Sequence, residues 1–159
     1  MTYVAAVIVL SDRAAAGTRP DGCIPVIRAA LGPAFEVRDE RILPDDPAAL
    51  QAALIELADA GVPLVLTSGG TGLGPRDRTP QATAAVIDYE VPGIGEAMRA
   101  ESNKFVPTAM LSRAIAGVRD RTLIVNLPGS PKAVGETLGI LLPALPHALD
   151  LLADLAVDG

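Results

Sequence analysis

The chain has 159 residues, 50% of them hydrophobic, with a mean hydropathy of +0.38: enough to bury one substantial core and too few to divide safely into two. A formal net charge of -6 and an isoelectric point near 4.7 exclude general attraction to nucleic acid or to an anionic membrane, so any anionic substrate needs local donors. Cys23 is the only cysteine, which excludes an intrachain disulfide framework and a cysteine-built zinc site, and the expected compartment is the cytoplasm. No stretch reaches the roughly 18 uncharged apolar residues of a membrane helix; residues 138–149 come nearest and contain Pro143 and Pro146.

Residues 3–10 (YVAAVIVL) are apolar almost throughout and rich in β-branched side chains, the pattern of a strand covered on both faces. Ser11 and Asp12 end it. Beyond a loop punctuated by glycine and proline, residues 23–31 read as a helix and residues 35–43 (FEVRDERIL) as a more polar, peripheral strand. In the next helix Leu50, Leu54 and Leu57 share one stripe, with Asp46 as N-cap candidate, Pro47 at the first helical position and Gly61 as the stop. Residues 62–67 (VPLVLT) read as a second buried strand and residues 68–75 (SGGTGLGP) as a glycine-rich loop. Thr79 and Pro80 open a helix to about Tyr89, and a shorter helix covers residues 95–102. Two strands, residues 114–118 and 122–127, flank an Arg119-Asp120-Arg121 turn; residues 132–142 and 145–156 are helical in period. Strands alternating with helices predict a single α/β domain over residues 1–159, with a mainly parallel sheet covered on both sides.

The glycine-rich loop carries the clearest chemistry. Gly69, Gly70, Gly72 and Gly74 fall within six residues between a buried strand and a helix start, more glycine than a tight turn requires. Glycines admit positive φ and close approach, so their N–H groups can face phosphate oxygens, and the end of a strand is the usual ligand edge of an open α/β sheet. No Lys-Ser or Lys-Thr follows, so the Walker A pattern fails, and Pro75 stands where a dinucleotide-binding fingerprint needs its third glycine. Asp77, between Arg76 and Arg78, is the first candidate to hold Mg²⁺ against phosphates; a surface salt bridge is the competing reading. Asp45 and Asp46 end another predicted strand and read equally as helix cap or as site residues. Asn126-Leu127-Pro128-Gly129-Ser130-Pro131-Lys132 is a second strand-to-helix junction, ordinary turn or phosphate site, and Ser11-Asp12-Arg13 is a third. His147, the only histidine, sits in an apolar helical stretch and reads as a packing residue, which leaves no Ser-His or Cys-His pair for nucleophilic catalysis.

With these segments in hand, the chain resembles the Mog/MoaB family of molybdenum cofactor biosynthesis proteins. The matching blocks are Ser11-Asp12-Arg13-Ala14 with Gly17 and Asp21; Leu43-Pro44-Asp45; Ser68-Gly69-Gly70-Thr71-Gly72 with Arg76-Asp77, Thr79 and Pro80; Pro107 through Ser112 and Arg113; and Asn126 through Lys132. They span nearly the whole chain in order, and the glycine block is the most specific. The opening Ser-Asp-Arg-Ala looks more like the Mog branch, and the resemblance therefore implies molybdopterin adenylyl transfer from ATP with Mg²⁺. A MoaB-like or CinA-like paralogue, or a non-enzymatic scaffold, is the alternative.

The resemblance further implies a three-layer domain, usually a homotrimer, for which the apolar residues Leu145, Leu149 and Leu152 are expected to be available. It implies catalytic and metal-holding roles for Asp45 and Asp77. Phosphate binding falls on Ser68, Gly69, Gly70, Thr71, Gly72, Gly129, Ser130 and Lys132, and substrate contacts on Ser11, Asp12, Asn126, Pro128 and Ser112. Molybdate insertion would fall to a separate partner. The pattern departs from the family at Glu101 and Asn103, beside Ser102.

Overall fold

The computed structural model describes residues 1–155, so Ala156, the expected end of the last helix, lies outside the described residues. The inner strand β1 (Tyr3–Leu10) has side chains that alternate between two cores. Ala5, Val7 and Val9 pack into one and Ala6, Ile8 and Leu10 into the other, which is why the run is apolar at every step. The first core is closed by α2 (Cys23–Leu31) through Ile27 and Leu31, by α6 (Pro131–Leu141) through Val134 and Leu138, and by α7 (Leu145–Leu152). The second is closed by α3 (Pro47–Asp59) and α4 (Thr79–Val86), with Leu50, Leu54 and Ala82 facing the sheet. Each fully buried leucine or isoleucine contributes about 1.5–3 kcal/mol. With almost no aromatic volume, the two aliphatic layers hold the fold.

The sheet has six strands in the order β2-β1-β3-β6-β5-β4. β2 (Phe35–Leu43), β3 (Leu64–Ser68) and β6 (Thr122–Leu127) join β1 in parallel, while β5 (Ala116–Arg119) and β4 (Tyr89–Glu90) are antiparallel to their neighbours. The α/β expectation is met. β2 is the polar edge strand, alternately exposed at Glu36, Arg38, Glu40 and Ile42. Between β1 and β2 the chain crosses on the α2 face, and between β2 and β3 it returns on the α3 face to land beside β1. That reversal opens a crevice at the carboxyl ends of the strands.

Several expectations shift. The helix from Thr79 ends at Val86 instead of Tyr89, because Ile87 turns extended and the N–H groups of Asp88 and Val91 donate to Val118 O and Ala116 O, converting Tyr89–Glu90 into an edge strand. The following helix, α5 (Pro92–Asn103), starts earlier than expected, with proline in its first turn. A four-residue helix, α1 (Asp12–Ala15), capped by the Ser11 hydroxyl, follows β1, and Pro107–Leu111 forms a 3₁₀ turn. Leu145 and Leu149 are not left over for a subunit contact: both are 2% exposed, with Leu152 packed beside them, because α7 folds back over the sheet. His147, read as a packing residue, is exposed on α7. No helix among the described residues is long and apolar enough to cross a membrane.

Candidate active site

Because β1, β2, β3 and β6 run parallel, the segments that leave them meet at one edge: Ser11-Asp12, Pro44-Asp45, the glycine loop, and Pro128 through Lys132. Segments far apart in sequence become neighbours for that reason alone. Asp45 and Asp46, equivalent by sequence, separate here. Asp46 caps α3 by accepting from Ala48 N at 3.0 Å, whereas Asp45 turns toward Asp12. The carboxylate of Asp12 accepts from Arg76 Nε at 2.5 Å and Arg76 Nη2 at 3.0 Å, and Arg76 Nη2 also donates to Asp45 O at 3.3 Å.

These contacts set the electrostatics. The Arg76 guanidinium, helped by the Asp45 N–H, holds the Asp12 carboxyl below its ordinary range. Burial pushes Asp45 up, and the neighbouring Asp12 and Asp77 carboxylates add to the rise; the Asp12 N–H and Arg76 oppose it. Asp77 folds back over the glycine loop, where its Oδ2 accepts from Gly74 N at 2.9 Å. Its expected competitor role is absent among the described residues: the ion pair formed by Arg76 is with Asp12, not with Asp77.

The glycines are required by contact as much as by conformation. Gly69 (φ 104°) presses against Leu10 O, with which any Cβ would collide. Gly70 (φ 70°) meets Thr79 Oγ1, with Asp45 Oδ1 just beyond. Thr79 N in turn donates to Gly70 O at 3.1 Å, so the loop and the start of α4 are fastened together. Arg113 fastens the other side. Its N–H donates to Thr71 O at 2.9 Å, its Nε to Gly72 O at 2.9 Å and its Nη2 to Asp77 O at 2.7 Å. Arg113 lies in one of the matching blocks but its role is not legible there, because a guanidinium aimed at two carbonyls 41 and 36 residues away leaves no local signature.

On the far side of the loop lies a cleft of about 570 Å³. It is lined by Thr71, Gly72 and Leu73 of the loop, by Pro128, Ser130 and Lys132 of the β6–α6 junction, and by residues of and after α5 that include Met98, Ser102, Val106 and Ser112. Its volume and mixed lining are those of a small-molecule site. Arg99, also at the cleft, donates to Ala114 O at 2.8 Å. Ser130 caps α6 by accepting from Ala133 N at 3.2 Å, so the helix start and Lys132 adjoin the same cleft end. Glu101 and Asn103 do not reach the cleft. Both are exposed on α5, and Glu101 pairs with Lys104, so the wall there is Ser102 and Val106.

Some expected ligand contacts become structural ones. Asn126 is 0% exposed: its Oδ1 accepts from Ile115 N, and its Nδ2 donates to Thr67 Oγ1 and Thr83 Oγ1, both at 3.0 Å. It holds the ends of β3, β6 and α4 together and has no group left for a substrate. Ser68 is equally buried and donates to Pro128 O at 2.8 Å, and the Gly69 N–H is used on Leu127 O. Cys23 lies just below the same edge, its Sγ 3.3 Å from Gly129 O, and burial pushes its thiol up, away from reactive thiolate. The reachable groups are therefore Asp12, Asp45 and Arg76 on one side of the loop, Ser112, Ser130 and Lys132 on the other, and Asp77 with Gly70, Thr71 and Gly72 between.

This arrangement can be set beside known proteins. Residues 6–147 match the family described as "Probable molybdopterin binding domain". A molybdopterin adenylyltransferase of Haemophilus influenzae is 45% identical over 166 residues, 94% of this chain and 84% of the relative. One from Escherichia coli K12 is 48% identical over 134 residues, 81% of this chain and 68% of the relative. Among solved structures, the molybdopterin biosynthesis enzyme MoaB of Thermus thermophilus superposes with a TM-score of 0.92 at 46% identity, covering 96% of this chain and 98% of that one. With the match extending from β1 into α7, the chain belongs to the molybdopterin-binding domain family of molybdenum cofactor biosynthesis proteins.

Proposed function

We propose that this protein is a molybdopterin adenylyltransferase, transferring AMP from ATP to the terminal phosphate of molybdopterin and releasing pyrophosphate. One observation carries the reading: the glycine loop stands between a carboxylate-arginine cluster and a cleft with a cation at its end, so a nucleotide polyphosphate and a pterin phosphate can meet across it. An oxygen of the pterin phosphate attacks the α-phosphorus of ATP. The bond from that phosphorus to the β-bridging oxygen breaks, its electron pair leaves with pyrophosphate, and a phosphoanhydride remains. No protein nucleophile is needed; positioning and charge neutralisation supply the rate.

Lys132 and the start of α6 hold the attacking phosphate. With the amides of Gly69 and Gly74 engaged inside the protein, phosphate contacts from the loop fall to Gly70, Thr71 and Gly72. Among the described residues no three acidic, histidine or cysteine side chains converge as a complete metal cage. Asp45 and Asp77 fit an ion that takes its other ligands from phosphate and water, as Mg²⁺ does, and the mutual crowding of Asp12, Asp45 and Asp77 favours a cation there. Bound Mg²⁺ supplies charge neutralisation at the polyphosphate.

The test is pyrophosphate release from ATP, with and without molybdopterin, and with Mg²⁺ titrated. Release that requires all three supports the reading. Pterin binding without release supports a MoaB-like role, which the similarity to the Thermus protein keeps as the second reading. We also read the protein as a cytoplasmic homotrimer that passes its product to a separate molybdate-inserting protein. Exposed apolar side chains available for assembly include Leu73 and Leu111, which line the cleft, together with Phe105 and Met110. Light scattering that gives a monomer at micromolar concentration would remove the trimer.

A further inference from the structure

The residue left without a role is Arg76, and its surroundings are unusual. Several other arginines hold backbone carbonyls, as Arg99, Arg113 and Arg119 do, or pair with carboxylates on β2 and α3, as Arg41 does. Arg76 instead places its guanidinium on a carboxylate at the substrate edge, with two prongs on Asp12 and a third contact to Asp45 O. It also fails to fill the local need for positive charge. Asp12 and Asp45 are held against each other by reciprocal N–H bonds of 3.2 Å and 2.9 Å, and among the described residues Arg76 is the cation paired with them.

We propose that Arg76 is a placeholder cation and a mobile phosphate ligand: it occupies the carboxylate cluster in the free protein and moves to the nucleotide polyphosphate when a divalent cation enters. The proposal rests on the adenylyltransferase reading above. Three physical points carry it. The side chain is 64% exposed, so no packing has to be broken for it to turn. An exposed ion pair of this kind contributes little to stability, so exchanging a carboxylate for a phosphate of higher charge is favourable. Finally, a polyphosphate approaching three carboxylates is repelled until cations intervene, and Arg76 is attached one residue from Asp77, at the point where that charge would arrive.

The exchange predicts effects of opposite sign in one variant. Removing the placeholder should make the bare cluster bind a divalent cation more tightly, while removing a phosphate ligand should make ATP bind less well. The experiment compares the wild-type chain with Arg76→Gln and Arg76→Lys, using Mn²⁺ alone followed by paramagnetic resonance, and then KM for ATP. Arg76→Gln should bind Mn²⁺ roughly fivefold more tightly, raise KM for ATP about tenfold, and retain the fold by circular dichroism. Arg76→Lys should lie between it and wild type. Unchanged or weaker Mn²⁺ binding in folded Arg76→Gln overturns the proposal, as does an unchanged KM for ATP or an absence of Mn²⁺ binding in every protein. A separate control isolates the underlying reading: if Mn²⁺ binding ignores both Asp45→Asn and Asp77→Asn, the metal assignment fails and this inference with it. If those variants lose Mn²⁺ while Arg76→Gln changes nothing, only the placeholder role fails.

Discussion

Asp12 and Asp45 clasp each other across the ends of two strands: the N–H of Asp12 donates to Asp45 Oδ2 at 3.2 Å and the N–H of Asp45 to Asp12 Oδ1 at 2.9 Å. The clasp fixes the β1 and β2 termini and brings their carboxylates close, and this like-charge approach costs free energy. Asp45 should therefore be a residue whose loss separates stability from activity. Its pKa in the folded chain is raised, so the penalty of holding it ionised is present in full above that folded pKa and is relieved as pH falls through it. Asp45→Asn keeps an acceptor for the Asp12 N–H and should melt at the same or a higher temperature at pH 7. The difference should shrink toward acid, while pyrophosphate release falls by roughly a hundredfold or more. Asp12 has the opposite sign. Its pKa is depressed, so its contribution is present above the unfolded value and is lost as pH falls through the folded one. Thermal melts of both Asn variants between pH 3 and pH 8, a range of about five units around these carboxyl pKa values, check the signs.

Asp77→Asn tests the metal role more directly. An amide oxygen can still accept from Gly74 N, so the loop closure seen at 2.9 Å survives and folding should be unaffected. Turnover should fall by roughly a thousandfold, on the order of 4 kcal/mol in transition-state stabilisation, with a smaller effect on pterin binding. Single-turnover formation of adenylylated molybdopterin, with Mg²⁺ titrated, gives the answer. Near-wild-type rates with the same Mg²⁺ dependence would reduce Asp77 to a loop cap.

Two alanine substitutions in the glycine loop should behave differently. At Gly72 a new Cβ would lie 3.0 Å from Asp77 Oδ2, the end of a side chain that can swing away, so Gly72→Ala should fold normally and lose turnover about tenfold by displacing that carboxylate. At Gly70 the backbone is left-handed and the Cβ would meet Thr79 Oγ1, itself buried, so Gly70→Ala should cost about 1–3 kcal/mol of stability. Urea melts beside turnover measurements distinguish strain from displacement.

Asn126→Ala would leave the Ile115 N–H and the hydroxyls of Thr67 and Thr83 without their partner in the interior. The expected cost is about 2–4 kcal/mol, with pterin affinity of the remaining folded protein within a few-fold of wild type. A large loss of affinity in a variant with unchanged stability would return Asn126 to the substrate site.

The alternation of apolar strands with helices was readable along the chain because each strand had to satisfy its own burial: β1, covered on both faces, is apolar along its length, whereas the edge strand β2 carries charges at Glu36, Arg38, Asp39, Glu40 and Arg41, and the order of strands and helices fixed the α/β class. The glycine loop was also readable, since no regular element can accommodate its backbone. Shorter features were not. Tyr89–Glu90 became a strand only because β5 offered it an open edge, and α7 buried Leu145 and Leu149 only because the sheet beneath them was free to be covered. The same holds for residue roles. Asp45 and Asp46 are chemically identical neighbours, and only the direction of β2 into α3 makes one a helix cap and turns the other toward Asp12 and Arg76. Asn126 and Lys132 belong to one short motif, but Asn126 lies within the last buried strand and Lys132 on the first turn of an exposed helix end. Residue type sets what a side chain can do; its distance from water and from partners tens of residues away, set when the strands align, decides which of those things it does.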